Sequence, residues 1–423
     1  SLSSAASDIL LRALIEIDNN IKYFECINST FDQSKLTSDY TKAIIINNLH
    51  YLIDQCKFIN NKVQAKAGSC VIDSNNTSPD VEDITISSCT FTNCITDNYT
   101  ILCNNQKFNF INNSILLEQT NLTCGIFVND FQKIVIDRCN FTNCGLTNSI
   151  EGGALLLITN QKEEITISNC IFDNCVSIDG GAAKLKMHAS IPIIYNNTFK
   201  NIRNNFSVSF VYNSIIIFKT FTIEKSKFIN CFNEGLEGGG SGIWIRNAVI
   251  DNNYYRMIID FIDCDFINNT SPFPGGAFGQ GNKNDVKPNT LQFIKCNFIG
   301  NSITEKRDGY GKNKDDGGGA LWIRTSTPCT ITDCLFKDNK SFSNGISPGG
   351  AIFISFTSNM FQMTITNTSF INNSCPHFRS NGHAIFASTY NGPISLKNCS
   401  FIDNGYNINN QNAIIYSGSK LLV

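Results

Sequence analysis

The chain has 423 residues, of which 42% are hydrophobic and only 16% charged, with a formal net charge of −2. No basic stripe runs along it, which argues against nucleic acid as a partner, and no apolar run reaches the length of a membrane span. It opens on Ser1 with neither a methionine nor a leader, as expected of a mature fragment or excised ectodomain; any membrane association would then come from parts outside this chain.

Residues 1–44 read as a degenerate coil or cap. The stretch 7–17 alternates well enough for a first strand, although Asp8 could also cap a short helix; Tyr23 and Cys26 resemble a worn copy of the repeat unit, which favours the strand. From residue 45 to 423 one pattern returns roughly every 30 residues, the mark of a stacked solenoid that overrides a two- or three-domain prior.

The copies align on a phenylalanine at Phe58, Phe91, Phe141, Phe172, Phe199, Phe228, Phe266, Phe298, Phe336, Phe370 and Phe401. Counting from it, positions −7 and −5 are apolar, as in Ile165 and Ile167, so they form a half-buried strand. Position −2 is mostly cysteine, as in Cys170, and +2 is mostly asparagine. One residue slips between the two alternating runs, so the chain bends there. A third side opens with glycines and a short apolar run, as in Gly152-Gly153-Ala154, Gly318-Gly319-Ala320 and Gly349-Gly350-Ala351. The expected fold is all-β: a single-stranded, right-handed parallel β-helix, a pectate-lyase-like solenoid of about 12–13 coils in one domain.

Coil upon coil, Phe141, Phe172, Phe228, Phe266, Phe336 and Phe370 should form an aromatic ladder. Asn143, Asn174, Asn230, Asn268 and Asn372 at +2 are expected to point inward and bond one another. Two coils look irregular. Phe110-Ile111-Asn112-Asn113 keeps the turn but has Asn105 at the apolar −5 position, and around 199–212 the glycine opening is missing.

Most of the 18 cysteines fall in the −2 column or in a second column at +3 (Cys94, Cys144, Cys175, Cys231), where they read as small buried hydrophobes. Off-column Cys26, Cys70, Cys103, Cys124, Cys329 and Cys375 are the better disulfide candidates in an oxidising compartment. No cysteine pair has histidine spacing suited to zinc, and no cofactor is expected. Asn-x-Ser/Thr sequons hint at secretion. Asn75, Asn76, Asn98, Asn121, Asn205 and Asn339 are candidate glycan acceptors, whereas Asn112, Asn268 and Asn372, on the expected buried ladder, should stay bare.

The paired signatures Phe141-Thr142-Asn143-Cys144 or Phe266-Ile267-Asn268-Asn269 and Gly349-Gly350-Ala351-Ile352 resemble the chlamydial polymorphic outer-membrane proteins and the related surface families of trichomonads. The resemblance spans residues 45–420. It implies a non-enzymatic β-helical protein, at the cell surface or secreted, that adheres to host cells or glycans. Autotransporter members of such families carry a C-terminal membrane barrel; none is expected within residues 45–423, which leaves the mode of anchoring open.

After each Gly-Gly-Ala the second following position should face outward. It holds Trp244, Trp322, Phe353 and Phe386, with Arg246 and Arg324 two residues beyond the tryptophans, so an exposed aromatic stripe is expected to bind sugars, a partner or a second copy. Folding of the inserts 300–316 and 340–347 over that face is the competing expectation. A rod that assembles into a coat or fibre is the alternative function. A polysaccharide lyase or hydrolase fits less well. His50, His188, His377 and His383 are scattered, and the acid-rich loop holding Asp308, Asp315 and Asp316 is interleaved with Arg307, Lys312 and Lys314.

Overall fold

In the computed structural model of the chain, the described residues are 15–16, 23–32, 44–47, 50–63, 71–75, 82–96, 99–104, 106–117, 124–145, 152–158, 164–177, 180–187, 191–204, 208–212, 219–233, 240–247, 257–272, 274–281, 290–304, 317–324, 328–342, 349–355, 362–375, 382–387, 393–405, 415–417 and 421–422. Every regular element among them is a strand, and every paired strand runs parallel to its neighbours, one coil away in sequence. The protein is a parallel β-helix. It divides into two compact units, Ser1–Pro192 and Ile193–Val423.

In the first unit a glycine sheet runs from Ile15–Glu16 to Ala183–Met187, an isoleucine sheet from Tyr23–Ile27 to Glu164–Ser168, and a phenylalanine sheet from Thr30–Asp32 to Ile171–Asp173. Register is set by the columns: Phe58 pairs with Phe91, Ile84 with Phe108, and Ile136 with Ile167. The early segment belongs to the same scheme, since Cys26 pairs with Ile53 and Phe31 with Phe58. Phe31, Phe58 and Phe91 stack at 4.8 and 4.6 Å, the spacing of adjacent strands. Phe141 and Phe172 continue the pattern at 4.9 Å.

The coil expected to be irregular is regular. Ile115, not Phe110, takes the phenylalanine column, paired with Phe91 and Phe141, while Phe108 and Phe110 fill the −7 and −5 columns. An aliphatic residue on the anchor column and aromatics on the strand columns invert the usual assignment.

The second unit repeats the three sheets, with a short fourth that runs from Arg203–Asn204 to Lys340–Ser341. Its phenylalanine column, Phe199, Phe228, Phe266, Phe298, Phe336, Phe370 and Phe401, stacks at 4.7–5.0 Å with nearly parallel rings. Each buried ring contributes about 2–3 kcal/mol through removal from water. Although it lacks the glycine opening, Val208–Tyr212 still joins the glycine sheet, with Ser209 paired to Trp244.

Two corners per coil explain the bend, and they correct the asparagine assignment. Position −3 (Gln55, Asn112, Arg138, Asn169) and position +2 (Asn60, Asn93, Asn143, Asn174) both have φ near +50°. A left-handed residue re-aims the chain, so the side-chain parity flips at −3 and again at +2. Asparagine tolerates this conformation better than other L-residues. Asn143, Asn174, Asn230, Asn268 and Asn372 therefore lie on the outer side of the corner, partly or fully exposed, and the residue after each faces inward. Some bond along the outside, Asn174 donating to Asn143 at 2.8 Å and Asn372 to Asp338 at 2.6 Å. The expectation that Asn112, Asn268 and Asn372 are buried fails for the same reason.

The buried asparagine ladder sits at +3 in the second unit: Asn269, Asn301, Asn339, Asn373 and Asn404. Each Nδ2 donates to the carbonyl of the phenylalanine one coil back, as Asn301 does to Phe266 at 2.9 Å, and the first four donate also to the next amide, as Asn301 does to Asn339 at 3.0 Å. From Asn301 onward each Oδ1 accepts from the preceding amide and backbone N–H, and that of Asn269 accepts the N–H of Cys231, so the amides are bonded where burial would otherwise be costly. Asn339, an expected glycan acceptor, is a fully buried rung and cannot serve as one.

Cysteines take the same seats. At +3, Cys94, Cys175 and Cys231 donate to the carbonyls of Phe58, Phe141 and Phe199 at 3.6–3.8 Å. At −2, Cys139, Cys264 and Cys296 donate to Phe110, Ile223 and Phe261 at 3.2–3.4 Å. Off-column Cys26 and Cys329 prove to lie on the −5 and −7 columns, and Cys103 on the glycine sheet. The sixteen cysteines with described side chains are thiols, not disulfides, Cys26, Cys103, Cys329 and Cys375 among them; Cys70 and the side chain of Cys124 lie outside the described residues.

Candidate functional site

The outward-facing positions of each sheet are where a rigid coil presents chemistry. On the glycine sheet of the second unit, Trp322, Phe353 and Phe386 occupy successive rungs in register. They do not form an open stripe: Trp322 keeps 9% of its surface, Phe353 none, and Phe386 is partly buried. Phe353 lies between its two neighbours and stacks on Phe386 at 5.5 Å. The opening glycines reach up against the same column, since a Cβ on Gly275 or Gly382 would touch the Cβ of Trp322 or Phe386 at 3.0 Å. The expected exposure fails: neighbouring aromatics and glycine turns lie against these side chains, and residues 305–316 and 343–347 of the inserts expected to fold over this face lie outside the described residues. Trp244, Arg246 and Arg324 sit in the strands Ile243–Asn247 and Leu321–Arg324, but their side chains lie outside the described residues.

The outward side of the isoleucine sheet in the first unit is different. Its −8 column runs His50, Asp83, Lys107, Lys133, Glu164 on successive rungs, beside a −6 column holding Thr85, Asn109 and Thr166. Asp83, Thr85, Lys107, Asn109, Gln132, Lys133 and Glu164 line one shallow concavity. Lys107 pairs with Asp83 at 3.8 Å and Lys133 with Glu164 at 3.0 Å, while Asn109 donates to Thr85 at 3.3 Å. These ion pairs are exposed and each is worth about 0–1 kcal/mol. Their polar groups are therefore available for exchange with a ligand.

Acid–base chemistry is poorly served there. Asp83 and Glu164 are three rungs apart, about 14 Å at ordinary strand spacing, beyond the carboxylate separations of about 5–9.5 Å used in glycoside hydrolysis. Nearby Asp137 is a structural anion. Partial burial would raise its carboxyl, but Asn169, Ser168 and Arg138 donate to it at 2.7–2.8 Å and hold it below the usual carboxylate range. In the second unit, burial pushes the Asp260 carboxyl upward, between Thr222 and Gln292 in register.

Of the four histidines, His50 accepts the N–H of Asp83 at 2.8 Å. His383 is buried, accepts from the N–H of Cys375 at 3.3 Å and is shifted down by burial. His188, His377 and the acid loop with Asp308, Asp315 and Asp316 lie outside the described residues, as do Asn76, Asn98, Asn121, Asn205 and the side chain of Asn75. Among the described residues no group of three or more His, Cys, Asp or Glu could hold a metal ion.

Sequence reasoning centred on the inward columns missed this polar face. Its signal was nonetheless present, because Asp83, Lys107, Lys133 and Glu164 fall one residue before the aligned apolar position −7. No family model, no curated protein and no solved structure matches the chain.

Proposed function

We propose that the chain is a non-enzymatic recognition protein, displayed at a cell surface or secreted, whose β-helix presents polar side chains to a glycan or host-cell surface. The carrying observation is the concavity around Lys107 and Lys133, where donors and acceptors recur at strand spacing on a fixed scaffold. Such an array suits hydroxyl-rich or mixed-charge chains that lie along the coils. The Phe-x-x-Asn and Gly-Gly-Ala signatures, with their likeness to polymorphic outer-membrane proteins, support the same reading.

A glycan and host-cell binding screen with the full chain, run beside a polysaccharide cleavage assay, tests it. Binding without cleavage is expected, with a loss of tenfold or more (about 1.4 kcal/mol) in the double variant Lys107→Ala, Lys133→Ala. Turnover of any polysaccharide, or binding untouched by that variant, would overturn the reading. Exposed Ile171, Ile193 and Phe342 favour a second reading, self-association, which concentration-dependent light scattering would reveal.

A further inference from the structure

The first corner of each coil carries a regularity that the fold does not demand. Position −3 is left-handed in thirteen described coils, and six of them have asparagine there: Asn28, Asn112, Asn169, Asn196, Asn367 and Asn398. All six are exposed. Two residues on, at the outward −1 position, stand Thr30, Ser114, Ile171, Thr198, Ser369 and Ser400, so five of the six have a hydroxyl. The other seven corners, Gln55, Ser88, Arg138, Lys225, Asp263, Lys295 and Asp333, are followed by Lys57, Thr90, Asn140, Lys227, Asp265, Asn297 and Leu335, with a hydroxyl in one of seven.

Packing does not require that coupling, since lysine, asparagine and leucine all occupy −1. Nor is the hydroxyl there to hold the corner amide: Ser400 bonds Ser369 at 2.9 Å, not Asn398. The second corner shows no such bias. Of its eight asparagines (Asn60, Asn93, Asn143, Asn174, Asn201, Asn230, Asn268 and Asn372), only the last two are followed by a hydroxyl two residues on. Abundance of Asn, Ser and Thr would have enriched both corners alike.

We infer that the first-corner asparagines Asn28, Asn112, Asn196, Asn367 and Asn398 are acceptor sites for N-linked glycans. The left-handed corner projects the amide from the coil, and Asn-x-Ser/Thr is the acceptor pattern. In the transfer, Nδ2 bonds to the anomeric carbon of a sugar carried on a lipid pyrophosphate. The carbon–oxygen bond to the pyrophosphate breaks, the amide loses one proton, and the lipid pyrophosphate departs. Asn367 and Asn398 stand on adjacent coils with Asn398 donating to Asn367 at 3.2 Å, too close for both to carry a sugar. Sequons on the inner ladder, Asn269-Thr270-Ser271 and Asn339-Lys340-Ser341, are fully buried and stay bare.

The inference shares with the proposed function only passage through a secretory route. An empty binding screen with sugar at the corners would remove the recognition role and leave the acceptor column standing. The test is peptide mass mapping, after enzymatic deglycosylation, of the full chain isolated from the cells that make it. The Asn-to-Asp mass shift is expected at Asn28, Asn112 and Asn196, at no more than one of Asn367 and Asn398 in any molecule, and not at Asn269 or Asn339. Unmodified corners, or a shift at Asn339 comparable with that at Asn112, would overturn it.

Discussion

Asn301 shows how one side chain closes a corner. Its amide satisfies the Phe266 carbonyl and Asn339, and its oxygen accepts both the N–H and the Nδ2 of Asn269. Asn301→Leu would leave several of those groups buried without partners, a loss of about 3 kcal/mol. Asn301→Cys should cost clearly less, because a thiol fills the equivalent seat at Cys231 and donates to Phe199 at 3.8 Å. Urea unfolding of the two variants checks the order; equal losses would mean the ladder matters only as volume. The interchange of cysteine and asparagine was visible in the sequence as two residue types sharing a column. What could not be read was which asparagine of Asn268-Asn269 points in, since that depends on the sign of φ at +2 and not on residue type.

At the scale of one coil, register and not length is conserved. Phe91 and Ile115 are 24 residues apart and in register, while Phe298 and Phe336 are 38 apart and equally in register. Excising residues 298–335 joins Asn297 to Phe336 with every column in phase, so the shortened chain should fold with a single cooperative transition. Excising 298–334 instead shifts the parity by one and places Leu335 where Phe336 belongs, driving apolar side chains outward. Circular dichroism and thermal melting distinguish the two; equal stability of both would show that the columns do not set the register. Strands, corners and glycine turns were legible because each repeats. The coil anchored on Ile115 was misread because it lacks the phenylalanine that marks the others, and the burial of Trp322 and Phe353 because alternation gives a side chain's direction but not what lies over it.

At the scale of the whole chain, the buried thiols give most of the response to alkali. Burial pushes Cys94 and Cys231 up to about 12, and Cys329 and Cys375 upward as well, whereas Cys89 and Cys334 move down because Cys56 and Cys296 donate to them. A thiol whose folded value is raised stabilises the fold fully below its ordinary value of about 8.5 and ceases to do so as pH climbs through the folded value. The thiols' contribution to the melting temperature should therefore hold steady below about pH 8 and fall progressively as the medium becomes more alkaline, while the lowered His383 and Asp137 act only on the acid side. Alkylation should label Cys94 and Cys231 only after denaturation. Rapid native labelling at pH 8, or a melting temperature indifferent to alkali, would contradict this account. The candidate site was less legible than the fold, since outward side chains such as Lys107 and Lys133 obey no packing constraint and stand out only once the rungs are aligned.

The inner amides also have a direction. From Asn269 to Asn373 each Nδ2 hands a hydrogen to the oxygen of the next rung, so the five small dipoles that end at Asn404 line up head to tail. Turning any one of them over would set oxygen against oxygen on one side and hydrogen against hydrogen on the other. The backbone N–H and phenylalanine carbonyl at each rung fix the same sense, so the row keeps one direction, and its exchange with solvent deuterium should be collective, beginning where Asn404 meets water.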